Sequence, residues 1–428
     1  MNLSFRIKQE EWRMSFIKSI WVSILVLLVV TWLACGPDTT HQFQISRHDT
    51  ANFTNADADE MLDEATNLLQ TNDGEGDVAC NVALVRKGDV TEFLTGIGVI
   101  NSPEDLYAVM GLPGEVKVVR HIFWCGVFST FLGCSEIGGN SFIVTDLGPG
   151  NRSAVVWAHE FGHNKGLLDC HFNCQYKLMN RILHSANRRI NSHECSAFLT
   201  PRTTIRQTGI LTSVAQEPSG VAQLLDIKGF VCQTFIHGVP YEEAIRYGSD
   251  KVPILLEMLA DTTEESYWSN IVLTMGMIGD EQTVEQIIAF IDKAIEGKLS
   301  TSQYTAKMTA IMALGYLINK SGSKKALTYL QDSLNPSVWT ERKFKWTSSY
   351  HVNENDRNVQ LSIMAIIGLG LSGHVEAGES LRSLQQPVAT QEAKEFQAKV
   401  SDVINEALRA HEMIAKEGLI EYYRQAKY

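Results

Sequence analysis

The spacing of apolar positions changes character twice along the chain. Residues 19–34 are uncharged and follow Arg13 and Lys18, the basic-then-apolar layout of an export signal whose apolar core is short for a membrane span. Further on, Met61, Ala65, Leu68 and Leu69 recur on one helical face, and the runs 80–85, 116–123 and 142–145 are short and rich in β-branched residues, as strands are. The turn-forming run Leu147-Gly148-Pro149-Gly150-Asn151 then precedes an apolar helix starting near Ser153, and residues 191–198 predict another helix. Residues 201–233 carry no clear period. From about Phe235 a helical period takes over: Trp268, Ile271, Val272 and Met275 share a face, Gly279-Asp280 makes a turn, and Val284, Ile287, Ile288 and Ile291 share the next face. The same alternation returns at Ile311, Leu314 and Ile318, and again at Leu361, Met364 and Ala365.

These patterns predict an α/β region followed by an all-α region, divided as a signal segment over 1–35, an α/β domain over 36–235 and helical repeats over 236–428. Helical hairpins of this size cannot each bury an apolar face alone, so they are expected to stack into a solenoid with a continuous core. The pattern resembles HEAT repeats, most clearly at Ala313-Leu314-Gly315-Tyr316-Leu317 and Met277-Ile278-Gly279-Asp280. Such a surface is a candidate grip for a protein partner or substrate.

Cysteine usage adds a compartment. After Cys35 the chain has Cys80, Cys125, Cys134, Cys170, Cys174, Cys195 and Cys232, and none beyond. Clustering of this kind predicts a disulfide-stapled domain in an oxidising compartment, with Cys125 and Cys134 closing a short loop and one of the seven thiols left over. Leu33-Ala34-Cys35-Gly36 resembles a bacterial lipoprotein cleavage site, after which Cys35 is lipidated and attaches the chain to a membrane; a freely secreted form and a retained single-span anchor are the alternatives. Whether the segment 36–76 acts as a removable inhibitor is left open by the sequence; it holds no cysteine, which argues against a thiol-based latency switch within it. A formal net charge of −12 argues against a general nucleic-acid binder.

The densest chemistry lies in WAHEFGHNKGLLDCH, residues 157–171. On a helix, His159 and His163 are four residues apart and project from one face, so two imidazoles can reach one metal ion. Glu160 is then aimed at water instead of the ion. Gly166 ends the helix by taking the left-handed conformation cheaply, which lets the chain reverse and bring Asp169 back to the metal. Two neutral imidazoles and one carboxylate leave a tetrahedral zinc with an open position, the pattern of a catalytic site. His171 is the alternative third ligand.

This run resembles the signature of the metzincin metallopeptidases, H-E-x-x-H-x-x-G-x-x-H/D, in its snapalysin-like aspartate variant. The resemblance covers residues 55–200, and it implies a metzincin-like α/β fold, one catalytic zinc, protein or peptide substrates, and Glu160 as general base. It also implies a methionine turn beneath the metal, placed here at Tyr176-Lys177-Leu178-Met179-Asn180, with Met179 as a hydrophobic floor. Some members carry a tyrosine two residues after that methionine; here the position is Arg181. Two functions follow as expectations: an exported zinc endopeptidase whose repeats grip substrate or partner, or a cell-envelope helical-repeat scaffold with an inactive or merely metal-binding metallopeptidase-like part.

Overall fold

A run such as Phe142–Thr145, apolar at nearly every position, sends alternate side chains to opposite faces of a sheet, so both faces need cover. The computed structural model supplies it on both sides. It describes residues 39–148, 150–170, 174, 176–183, 188–200, 225–293, 297–342, 346–347 and 353–425. The signal segment, Cys35 and His171 lie outside these residues.

Ten strands occupy the first part of the chain: β1 (Thr39–Phe43), β2 (Ile45–His48), β3 (Val82–Arg86), β4 (Thr91–Phe93), β5 (Val99–Ile100), β6 (Val116–Val119), β7 (His121–Trp124), β8 (Phe128–Phe131), β9 (Gly133–Ser135) and β10 (Phe142–Thr145). The main sheet runs β4-β2-β6-β10-β9, parallel except for the antiparallel edge strand β9. Strands β5, β7 and β8 form a second sheet, and β1 pairs with β3 in a third. The apolar run 116–123, read from sequence as a single strand, is divided at Arg120. Val116–Val119 pairs with β2 and β10, whereas His121 pairs with Val99. Nothing in the run marks the change of partner, because both halves are buried.

Helix α1 (Asn55–Gln70) begins at a capping box between Thr54 and Asp57 and buries Met61, Ala65, Leu68 and Leu69, the face seen in the sequence. It packs on α2 (Asn151–Asn164) against one face of the main sheet, where Phe142 and Val144 join Phe43, Phe161 and Met179 in a single core. Segment 36–76 is therefore built into the domain from Thr39 onward: Phe43 and Ile45 are core residues, and β1 and β2 are sheet strands.

The opposite face packs on β7 and the helix Pro103–Met110, and its core continues into the helical half. Ile143 and Val119 share a second core with Phe131, and the same core includes Ile271, Leu314 and Ile366 of the helices. From residue 236 onward the described chain is predominantly helical, and the long helices Trp268–Ile278, Thr301–Ser321, Glu354–Ser372 and Gln391–Arg424 pack successively side by side, the last interrupted at Gly418. Glycines permit the close approach: a Cβ on Gly315 would stand 2.1 Å from the Gly368 carbonyl oxygen, and one on Gly276 would stand 2.7 Å from that of Ala313. Polar contacts tie this half to the second sheet. Trp124 Nε1 donates to Glu406 Oε1 at 2.9 Å, the Phe128 amide donates to the Tyr422 hydroxyl at 2.9 Å, and Tyr423 donates to the Phe128 carbonyl at 3.0 Å. The sequence boundary at 235/236 marks the change from strands to helices, and the buried core crosses it.

Disulfides join Cys80 to Cys195, Cys125 to Cys134 and Cys170 to Cys174, leaving Cys232 as the free thiol among the described cysteines. The expected short loop is closed, and these bonds agree with an oxidising, exported setting. No helix among the described residues is long and apolar enough to cross a membrane.

Candidate metal centre

Helix α2 is buried nearly all round, from Ser153 to Asn164, so its polar residues are there for contacts and not for solvation. Gly150, at φ 134°, stands at its N-cap, and Ser153 Oγ donates to the Gly148 carbonyl at 2.6 Å. At the other end Gly166, at φ 84°, sits just past the helix: its amide donates to His163 O and the Leu167 amide to Gly162 O. This is the reversal expected of a left-handed glycine, and it returns Asp169 to the helix face carrying the histidines.

Each histidine is oriented from behind. His159 Nδ1 contacts Leu178 O at 2.9 Å and His163 Nδ1 contacts Leu167 O at 2.8 Å. A carbonyl only accepts, so both Nδ1 atoms carry the proton and both Nε2 atoms present lone pairs. Those lone pairs face one another at 3.1 Å, and Asp169 Oδ1 lies 3.2 Å from one and 3.6 Å from the other. Oδ1 is buried with no hydrogen-bond donor. Three lone-pair donors converging in a buried space repel one another unless a cation stands between them. Donors held ~2.0–2.1 Å from one tetrahedral ion stand roughly 3.3–3.4 Å apart, which these three nearly match. The residues fit a metal ion.

Met179 lies beneath. Its Sδ would be 2.5 Å from a Cβ on Gly162, so the glycine between the two histidines lets Met179 seat directly against the helix. The Cys170 amide donates to Met179 O at 2.7 Å, and the Cys170–Cys174 disulfide closes the adjoining loop. Arg181, two residues on, uses its carbonyl to accept from the Ile236 amide, and its charge acts on Glu243.

Glu160 is fully buried. Its Oε2 accepts from Ser135 Oγ at 2.8 Å, and it lies so close to edge strand β9 that a Cβ on Gly133 would be 2.3 Å from Oε1. Gly133 and Ser135 of the edge strand are thus the residues against which Glu160 packs.

One member of the site escaped sequence reasoning altogether. His237 joins His159, His163 and Asp169 in a group whose ligand atoms all lie within 4.8 Å of one another. Its Nδ1 is 2.9 Å from Asp169 Oδ2 and its Nε2 is 3.5 Å from Glu160 Oε1. It arrives on a backbone fixed from both sides: strand β12 (Thr234–Phe235) pairs with β11 (Ile182–Leu183), and the Leu132 amide donates to Ile236 O at 2.8 Å while the Ile236 amide donates to Arg181 O at 2.9 Å. Gly238, at φ 78°, follows in close contact with Ser129. No signal in Thr234-Phe235-Ile236-His237-Gly238 distinguishes it from an ordinary core segment.

Charge in this pocket is tightly balanced. Burial opposes the charged form of His237, but the Asp169 and Glu160 carboxylates outweigh it and lift its pKa to about 9. Burial, followed by the repulsion of His159, pushes His163 down to about 4. Burial raises the Asp169 carboxyl pKa, and the histidine charges and hydrogen bonds overcome that to hold it well below the usual range; Glu160 is lowered by the same opposition. Two buried carboxylates thus require positive charge, which a proton or a metal ion can supply.

No protein-family model, curated protein or solved structure matches this chain.

Proposed function

We propose that the protein is an exported zinc endopeptidase of metzincin-like type, attached to the cell envelope through lipidated Cys35 or released outside the cell, with its stacked helical hairpins forming a HEAT-like solenoid that grips substrate or partner. The single observation that carries this reading is the placement of Glu160 beside a convergent His159, His163 and Asp169 donor set. Nitrogen and carboxylate donors in a tetrahedral spacing suit zinc. When bound there, zinc polarises a carbonyl and lowers the pKa of water to ~7.

The chain's own groups do the rest. His159 and His163 bind through Nε2, each held in its tautomer by a backbone carbonyl. Because Ser135 occupies Glu160 Oε2, Oε1 is the oxygen left to take a proton from water and return it to the departing amine. Met179 and the Cys170–Cys174 loop keep the histidines and Asp169 in register. Purified protein carrying Glu160→Gln is expected to keep its zinc while peptide-bond hydrolysis falls ~10²–10⁴-fold. Undiminished turnover in that variant removes Glu160 as the base.

The second reading, a cell-envelope scaffold whose metal site does no chemistry, draws on a different observation: the four donor side chains are at most 3% exposed. A zinc-loaded wild-type protein that cleaves nothing in a diverse peptide library would favour it.

A further inference from the structure

A metal held by His159, His163 and Asp169 alone has one tetrahedral position to spare, and the structure has a side chain standing against it. We infer that His237 is a fourth protein ligand, so that the metal's resting sphere is closed by three histidines and one aspartate, and that His237 is the ligand which must leave before a substrate can enter.

Three observations carry this. The first is convergence: the His237 ring lies 5.2 Å from that of His159 and 5.6 Å from that of His163, the two of which are 4.7 Å apart, so three imidazoles surround one point with Asp169 completing the group. The second is position. His237 Nε2 faces Glu160 Oε1 at 3.5 Å, on the side of the carboxylate where water would have to stand to give up its proton. The third is enclosure: the side chains of His159, His163, Asp169 and His237 are 0–3% exposed, which suits a closed sphere and not one with a solvent position.

His159 and His163 are each tethered at Nδ1 to a backbone carbonyl, and the His237 ring stands between the carboxylates of Asp169 and Glu160, the second of which is the proposed base. The His237 backbone is secured through Ile236, so release needs a side-chain rotation and no break in strand pairing. The latch comes from the segment that opens the helical half.

Ligation stands independently of what the enzyme cleaves; only the latch rests on the peptidase reading. The test replaces zinc with cobalt(II) in full-length protein and in His237→Ala and His237→Gln. Wild type is expected to show a four-coordinate visible spectrum that azide does not change. Both variants should shift that spectrum and gain an azide response. An azide response already present in wild type, or a spectrum identical in wild type and folded variants, overturns the inference, and the wild-type arm decides even if a variant fails to fold. Peptide cleavage by the zinc forms is read alongside. Cleavage that rises in the variants supports the latch. Active wild type with inactive, zinc-loaded variants overturns it, and spectra as expected with no cleavage by any form leave the four-ligand sphere standing and sink the peptidase reading.

Discussion

The two halves of this molecule bury very different interiors. In the helical half, Ile271, Leu314, Ile366 and their neighbours make an apolar core in which glycines set how closely helices approach, and its described residues contain no disulfide. The α/β half surrounds a cluster of two carboxylates and three imidazoles and carries all three described disulfides. Apolar packing is non-directional and asks for buried area and fit, whereas a charged cluster is satisfied only by correct partners, and losing one leaves the others exposed to the full desolvation penalty. The difference teaches that one half is held by shape, and that the other adds charge balance and covalent staples to its apolar core. Their shared core makes each depend on the other.

The comparison breaks most sharply at the cluster. His163→Ala is expected to weaken metal binding by more than the ~10–100-fold that loss of an outer-shell partner costs, measured by competition with a chromophoric chelator. Retention of wild-type affinity would mean that the metal sits elsewhere. In the helical half the largest effect should come from Gly315→Val. Its Cβ would meet the Gly368 backbone, which cannot yield as a flexible side chain would, so the loss is placed at the upper end of the ~1–3 kcal/mol typical of overpacking and is read by thermal unfolding. An unchanged melting temperature would show that these helices tolerate separation.

The staples are tested next. Replacing Cys125 and Cys134 together by serine should cost about 2–3 kcal/mol, from the entropy of a nine-residue separation, with the metal retained. The smallest effect addresses the seam between the halves. Trp124→Phe removes the donor to Glu406 and is expected to cost about 1–2 kcal/mol, visible as a lower denaturant midpoint with unchanged slope. A second unfolding transition in that variant would show that the halves come apart independently.

Much of the centre was legible because its parts are local. His159 and His163 are related by helical period, Gly166 by its conformational freedom, and Asp169 by its short distance along the chain from that turn, whereas Met179 was singled out only by the family resemblance. The strand Phe142–Thr145 and the buried face of Asn55–Gln70 followed from periodicity in the same way. The short Cys125–Cys134 loop was legible, but the long-range pairing was not, since Cys80 and Cys195 meet only after β3 and the helix Ser192–Leu199 have been placed. Nor was the partner switch at Arg120.

His237 is the clearest case of what periodicity cannot carry. It lies 68 residues after Asp169, in a segment whose composition marks a boundary, and it reaches the metal position only because β12 pairs with β11 while Ile236 bonds to Leu132. The sequence by itself determined which helix carries the two histidines, where that helix stops and that the chain can return Asp169 to it, since those depend on backbone preferences within a few residues. The tertiary structure alone decided that a third imidazole joins the other two and Asp169, and that one buried core runs from the far side of the sheet into the helices. Such encounters are set by the packing of distant surfaces, and a chain records that packing nowhere in its local pattern.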